Sequence, residues 1–221
     1  MEPFVGGVRM FRNKIRLSSL FDSGFMDEAL EIYGWSRENS FPNLPKVLLS
    51  YKHKVKKTFV FTDIFNREEH YTEKVVIDDK NFYFITWNIP AVKRIIERDN
   101  PTLSIFSLKE IVDMVDRRCI NKSHLSKALN NEAPIIAASY PPLMTQNKLL
   151  IIDGNHRVIS KYEAGQTVIP GYLLSPDQHI QAMVRSVHRT LYKIHYNYFM
   201  IASYIGGIIT EEELNESLYV L

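Results

Sequence analysis

Five consecutive residues combine side chains that are suited to holding phosphate. Asp153-Gly154-Asn155-His156-Arg157 brings together a carboxylate, a glycine, an amide, an imidazole and a guanidinium. An apolar run at 149–152 precedes them, and residues 158–164 follow with helical spacing up to Gly165. This pattern is typical of a buried strand that turns sharply into a helix, and it predicts Asn155 as the N-cap. Because a helix N-terminus presents unpaired N–H groups and a partial positive charge, we expect an anion site here.

Each residue of this stretch, called here the Asp153–Arg157 turn, has a distinct role if the anion is a phosphate. Backbone N–H groups of residues 155–157 would hold phosphate oxygens, and Gly154 would permit their close approach. Arg157 would make a charge-assisted contact, and His156 would donate a hydrogen bond or act as an acid or base near neutral pH. Asp153 would orient these two side chains, hold magnesium, or deprotonate a substrate hydroxyl. The structural alternative is that the residues flanking the glycine cap the helix while the arginine pairs with a carboxylate.

A second polar helix start lies upstream, at Asn121-Lys122-Ser123-His124. Lys122 and Ser123 are the predicted second phosphate contact, since a helix start and a cation again coincide. An ordinary N-cap explains the same residues.

The composition limits the classes of protein to which this chain can belong. With 221 residues, 45% hydrophobic, we expect a globular chain of one domain, or of one domain with an extension. A net charge of +2 neither requires nor excludes a nucleic-acid partner. The single cysteine, Cys119, excludes an internal disulfide framework and a multi-cysteine zinc site. No apolar run approaches a membrane span and no signal-peptide core is visible, which predicts a cytoplasmic protein without a membrane partner.

The first half of the chain is predicted to be an extension that is partly β. We expect a short helix over 27–35, a break at Pro42 and Pro45, a strand over 57–61, and a hairpin made of 75–77 and 82–85. The basic run 52–57 is interpreted either as a strand edge protected by lysines or as a segment that follows a phosphate backbone. The basic residues before the helix suit a strand or a binding arm; they are Arg9, Arg12, Lys14 and Arg16.

The second half alternates helices and strands. Helices are predicted over 90–98, from Ser107 with Glu110 completing a capping box, and from 121 or 123. Strands are predicted over 135–138 and 167–174. A Pro141-Pro142 turn is predicted between the first of these and the strand that leads into Asp153. Pro170, inside the second, implies an edge position or a bend. One long helix is predicted from 176 to about 205, as a possible dimer seam. Its polar side is interpreted as a solvated face and consists of Arg185, His188, Arg189 and Tyr192.

The order of these elements around the Asp153–Arg157 turn resembles the ParB/sulfiredoxin superfamily. Two adjacent helices, a short strand after a proline, an apolar strand into Asp-Gly-Asn-His-Arg and a helix closing with Ala164-Gly165 all match, over roughly 82–174. The resemblance implies an α+β fold with a small mixed sheet and flanking helices at 81–175, an N-terminal β-rich extension at 1–80 and a C-terminal helical segment at 176–221. In that superfamily the turn binds the phosphates of CTP in partition proteins and of ATP in sulfiredoxin.

Departures from the superfamily narrow the expected activity. Asn155 stands where sulfiredoxin has its reactive cysteine, so sulfinic-acid reduction is not expected. The segment after residue 175 is mostly one predicted helix, which argues against a complete partition protein. The loop also resembles that of Fic proteins, but these place a His-Pro-Phe sequence on a helix where this chain has its apolar strand.

The resemblance therefore implies a nucleotide-binding protein, either a phosphotransferase or an NTPase. Its ligand would be ATP, ADP or CTP with magnesium, and Asp153, His156 and Arg157 would carry the chemistry. Kinase-like relatives also need an early carboxylate, for which Glu97 and Glu110 are candidates, although each is also typical of a solvated helix position. The alternatives are a DNA-binding protein or nuclease that uses the same anion site, and a non-catalytic CTP- or ATP-dependent switch.

Overall fold

The fold is α+β, as predicted, and the described residues form two β-sheets and a long helix near the C-terminus. The structure, a computed structural model, describes residues 19–22, 24–58, 68–76, 82–115, 117, 120–140 and 149–221. Several predictions lie outside these residues: the N-terminal basic arm, the strand residues 59–61, the hairpin turn 78–81, Cys119 and the Pro141-Pro142 turn.

Among the described residues from 19 to 58, the regular structure is helical, with no strand. A 3-10 turn at Ser19–Phe21 precedes α1 (Gly24–Tyr33), which confirms the helix predicted near 27–35, and α2 (Leu44–Thr58) follows. The predictions of a β-rich start at 46, of a lysine-protected strand edge at 52–57 and of a strand beginning at Lys57 are therefore wrong. Pro45 does not break the chain either, because a proline is tolerated in the first turn of a helix.

The predicted hairpin is confirmed. Strands β1 (His70–Val76) and β2 (Phe82–Asn88) pair antiparallel, with Val76 opposite Phe82 at the closed end. Helix α3 (Ile89–Asp99) starts at once, because the Asn88 side chain accepts a hydrogen bond from the backbone N–H of Ala91. Asn100 ends it in the left-handed conformation, as the Asn-Pro pair predicts.

A four-stranded mixed sheet carries the Asp153–Arg157 turn. Its strands are β3 (Leu103–Ser107), β4 (Ile135–Ser139), β5 (Leu149–Asp153) and β6 (Val168–Leu174), in the order β3-β6-β4-β5. Strands β4 and β6 are parallel, and the other two pairs are antiparallel. Strand β6 is thus internal, and the edge position inferred from Pro170 is wrong. The proline is accommodated because the pairing of β6 with β4 begins one residue later, at Gly171 opposite Ile135.

Short helices connect the strands of this sheet. Helix α4 (Leu108–Ile111) continues into a 3-10 turn at Val112–Met114, and a 3-10 turn at Lys122–His124 continues into α5 (Leu125–Leu129). Ser107 does precede α4, but its side chain makes no capping hydrogen bond, so the predicted capping box with Glu110 is wrong. Helix α6 (Asn155–Glu163) follows β5 and ends before Gly165, which has a positive φ of 79°.

The single long helix predicted from 176 to 205 is interrupted. Helix α7 (Pro176–His179) and a 3-10 turn at Ile180–Ala182 come first; α8 (Ser186–Ile205) and α9 (Glu211–Ser217) follow. The interruption lies where the chain becomes extended and joins β2. Met183 forms a β-bridge with Trp87, and the N–H of Val184 donates to the carbonyl of Thr86 at 2.9 Å.

The two faces of the four-stranded sheet enter two different hydrophobic clusters. Because side chains alternate along a strand, Ile135, Ala137 and Ile151 pack against α4 and α6. Ile136, Ala138 and Ile152 belong to the larger cluster with α1, α2 and α8. Helix α8 is the centre of that larger cluster, with 13 of its 20 residues buried.

The predicted solvated face of α8 is consequently wrong. His188 and Tyr192 are buried, and Arg185 and Arg189 are half-buried. Tyr192 and Tyr198 are fully buried core residues. A homodimer through this helix stays a prediction.

Candidate functional site

The Asp153–Arg157 turn has the predicted strand-turn-helix form, with one change at the cap. Gly154, at φ 100° and ψ 14°, is the N-cap of α6, and Asn155 is its first helical residue rather than the predicted N-cap. The Asn155 amide instead donates to the carbonyl of Ile151 at 3.1 Å, which ties the helix start to β5. Since glycine has no side chain to accept from the first N–H groups of α6, the helix start keeps donors for another acceptor.

Glycine is also required at position 154 for steric reasons. A Cβ there would lie 2.7 Å from Cγ2 of Ile135 and 2.8 Å from Nη2 of Arg157, and the positive φ disfavours any L side chain. The guanidinium thus packs directly over the turn.

Arg157 is held from two sides. Its Nη2 donates to the carbonyl of Pro134 at 3.2 Å and lies 3.5 Å from Oδ1 of Asp153. The side chain is only 11% exposed, and its Nε is buried without a hydrogen-bond partner. The structure therefore contains the Arg–carboxylate pair of the structural alternative, and it also leaves one guanidinium donor unused.

Asp153 lies between two cations. Its Oδ1 faces Arg157, and its Oδ2 is 3.6 Å from Nζ of Lys93, a half-exposed residue of α3. The same Nζ lies 3.9 Å from Oε2 of Glu69. Sequence reasoning missed Lys93, and no local signal marks it, because a lysine on the polar side of an amphipathic helix is ordinary.

His156 joins the turn to the second predicted helix start. Its Nε2 accepts a hydrogen bond from the backbone N–H of Asn121 at 3.0 Å, and its ring lies 5.6 Å from that of His124. Burial lowers the pKa of His156, and His124 lowers it further. The imidazole is neutral near pH 7, and because Nε2 is an acceptor, Nδ1 carries the proton.

The segment 121–124 is therefore adjacent to the turn, but its residues have capping roles as well. The backbone N–H and the hydroxyl of Ser123 both donate to Oδ1 of Asn121, at 3.0 and 2.8 Å. This is the ordinary cap that the sequence left open. Lys122 and Ser123 are exposed, so both remain accessible to a ligand.

The two candidate carboxylates are not linked to the turn. Glu97 and Glu110 are exposed on α3 and α4, and in the described ranges no hydrogen bond or ion pair connects either one with residues 153–157. Glu97 lies one helical turn beyond Lys93, on the same side of α3.

A second cation lies one turn along α6 from Arg157. Lys161 is 3% exposed, and its Nζ donates to Oε1 of the exposed Glu132 at 2.9 Å. Asp153, Arg157 and Lys161 thus follow one another at four-residue spacing on one side of the strand end and helix. The spacing was readable in the sequence, but the burial of the lysine was not.

Among the residues that the structure describes, no group of three or more His, Cys, Asp or Glu side chains is arranged to hold a metal ion. Of the helices in those same ranges, none has the length and apolar character needed to cross a membrane. Comparisons with protein-family models, with curated proteins and with solved structures find no match for this chain.

Proposed function

We propose that the chain binds the phosphates of a nucleotide at the Asp153–Arg157 turn and uses them for phosphoryl transfer or NTP hydrolysis. The observation that carries this proposal is the start of α6, where the N-cap is a glycine and two cations, Arg157 and Lys93, flank the turn. The resemblance of the turn to the ParB/sulfiredoxin motif leads to the same ligand class.

The backbone supplies the first part of the binding site. The N–H groups of residues 155–157 belong to the first turn of α6, where no carbonyl of the helix itself accepts from them. The helix dipole adds partial positive charge at the same point. Because Gly154 carries no Cβ, the Arg157 guanidinium can pack directly against the turn, close to these N–H groups.

His156 supplies a neutral donor. Its Nε2 is occupied by the N–H of Asn121, so its Nδ1–H is the group that can donate to a phosphate oxygen. The lowered pKa keeps the ring neutral at pH 7, and the hydrogen bond from Asn121 selects the tautomer with its proton on Nδ1. Lys122 and Ser123, from the adjoining segment, are the proposed secondary contacts.

Asp153 limits which anions bind. Its carboxylate already pairs with both Arg157 and Lys93, and it would repel a free phosphate. Magnesium would remove this repulsion, since Mg²⁺ is commonly held by one or two carboxylates together with substrate phosphates. Asp153 is the residue that would hold it, and the ion would stabilise charge on the transferred phosphoryl group.

A thermal-shift experiment tests the binding. We expect ATP, ADP or CTP with magnesium, at millimolar concentration, to raise the Tm of the wild-type chain by mass action. Arg157→Ala abolishes the shift, whereas Arg117→Ala retains it, because Arg117 pairs with Glu163 at an exposed position. Since Arg157 is partly buried, Lys93→Gln is the second variant; it alters an exposed side chain and weakens the shift. If no nucleotide shifts the Tm of the wild type, the proposal is wrong.

Turnover separates an enzyme from a nucleotide-dependent switch. Release of inorganic phosphate from ATP or CTP, with and without candidate hydroxyl acceptors, is the measurement. Multiple turnovers that vanish in Asp153→Asn support the enzyme. Binding with a change in oligomeric state and without turnover supports the switch instead.

A further inference from the structure

We propose that the solvent face of α2 is a docking surface for the phosphate backbone of double-stranded nucleic acid. The surface lies outside the Asp153–Arg157 turn and does not depend on the proposed nucleotide chemistry. The helix carries no Asp or Glu, and it contains five lysines and one histidine: Lys46, Lys52, His53, Lys54, Lys56 and Lys57.

Helical geometry places three of these residues in a straight row along the helix. Leu44, Leu48, Tyr51 and Val55 are the buried side of α2. At 100° per residue, Lys46, His53 and Lys57 point to the opposite side. We call these three the basic row; all three are exposed and line one open groove. It extends about 16 Å along the helix axis, from the rise of about 1.5 Å per residue.

The row is held rigidly by the packing beneath it. Asn197 of α8 donates from its amide to the hydroxyl of Tyr51 at 3.0 Å, and the ring of Tyr51 packs edge-on against Tyr198 at 5.7 Å. A rigid scaffold lowers the entropy cost of placing several cations on one polyanion. The helix positions that carry the basic row are therefore fixed relative to the core.

The chemistry of this face favours nucleic acid over a membrane surface and over a protein partner. Binding in a membrane interface needs an exposed apolar helix side, but the apolar side of α2 is buried in the core. A protein partner needs a buried apolar or aromatic anchor, and the exposed side of α2 offers only Leu49. A phosphate backbone needs cations alone and presents a negative charge about every 1.7 Å along a duplex.

The same face favours a duplex over a single strand. Single-strand binding sites place aromatic side chains under the bases. The aromatic residue within α2 is Tyr51, which is buried. Binding through the basic row should consequently be independent of base sequence.

Fluorescence anisotropy with a mixed-sequence duplex of about 20 base pairs, titrated from about 50 to 200 mM salt, tests the proposal. We expect affinity to fall with salt as a straight line on logarithmic axes. The Lys46→Gln/Lys57→Gln variant should reduce the magnitude of the slope by about 2, close to 0.9 per lost phosphate contact. The control variant Lys109→Gln/Lys127→Gln changes exposed lysines of α4 and α5 and should leave the slope unchanged.

Several outcomes would overturn the proposal. They are absence of duplex binding at about 50 mM salt, equal slopes for the two double variants, tighter binding to vesicles with anionic lipid, and equal competition by a polyglutamate peptide at matched charge. Arg157→Ala should bind the duplex like the wild type. Duplex binding by this variant distinguishes the two proposals, because only the proposed nucleotide site depends on Arg157.

Discussion

The indole Nε1 of Trp87 donates a hydrogen bond to Nδ1 of His179 at 3.3 Å. Two further residues of β2 meet a histidine in the same way. The backbone N–H of Thr86 donates to Nδ1 of His188 at 3.2 Å, and the hydroxyl of Tyr83 lies 2.7 Å from Nδ1 of His195. Three imidazoles from α7 and α8 therefore fasten the β1–β2 hairpin to the C-terminal helices.

These contacts predict a steep loss of stability in mild acid. The pKa of His179, His188 and His195 is lowered to about 4, chiefly by burial, and the nearby Arg185 contributes to the lowering at His188. Ser139 and Asp177 oppose the shift at His179, but burial dominates. The unfolded chain, with ordinary pKa values near 6.5, binds more protons between pH 6.5 and 4. Stability should thus be complete above about pH 6.5 and fall below it, by up to about 4 kcal/mol per pH unit for three protons.

Urea unfolding at a series of pH values measures this slope. His195→Phe should reduce it by about one third, since one of three titrating groups is removed. His53→Gln is the control, because His53 is exposed on α2. A flat stability profile between pH 6.5 and 4.5 would contradict the prediction.

Gly154→Ala should cost more stability than Gly165→Ala. Both positions have a positive φ, 100° and 79°, so both variants lose about 1–2 kcal/mol through backbone strain. Only the Cβ at 154 meets neighbours, since none lies within 4 Å at 165. The additional contacts with Ile135 and Arg157 should add about 1 kcal/mol or more. Denaturant unfolding of the two variants gives this difference directly, and equal losses would show that the turn relaxes around a methyl group.

Lys161 and Glu132 should respond unequally to substitution. Glu132→Ala leaves a buried ammonium without its partner, which we expect to cost about 1–3 kcal/mol of unfolding free energy. Lys161→Met removes the charge and fills the same space, so its cost should stay below about 1 kcal/mol. The double variant should match Lys161→Met. If Lys161→Met is the more damaging of the two single changes, the ammonium makes contacts beyond Glu132.

Asp153→Asn should abolish the effect of magnesium on nucleotide binding. Without metal, the variant should bind ATP or CTP several-fold more tightly than the wild type, because Arg157 and Lys93 lose their internal counterion. With magnesium, the wild type should gain affinity and the variant should not. Calorimetric titrations in excess EDTA and in excess magnesium compare the four cases. Unchanged metal dependence in the variant would assign the carboxylate a purely structural role.

The elements around the Asp153–Arg157 turn were predictable because their signals are local. Alternating apolar residues, the Asn-Pro helix end and the glycine turns mark β4 to β6, α3 and α6 in the sequence itself. The error at α2 has a physical source, since the basic run 52–57 contains a single apolar residue, Val55, and shows no helical apolar period by itself. Leu44, Leu48, Tyr51 and Val55 are spaced by three or four residues, as on one side of a helix. This apolar side becomes buried when α2 packs against α8, which stabilises the helix.

The other features that the sequence did not predict depend on contacts between residues that are far apart in the chain. His188 and Tyr192 have the polarity of surface residues, but Thr86 and the carbonyl of Ser139 bind them inside the core. Lys93 enters the site only because its ammonium group reaches Asp153, about 60 residues later in the chain. A single sequence carries no periodic or compositional signal for such pairings.

The strand order β3-β6-β4-β5 has a consequence for how the chain acquires its structure. Strand β3 pairs only with β6 among the described strands, and β6 begins about 60 residues later. During synthesis, the backbone groups of β3 therefore stay unpaired with β6 while β4, β5 and α6 are being made. Its exposed residues Leu103 and Ile105 then lie on an uncharged open edge, which is the kind of segment that aggregates before its partner arrives. Formation of the β3–β6 pair should therefore come late in folding.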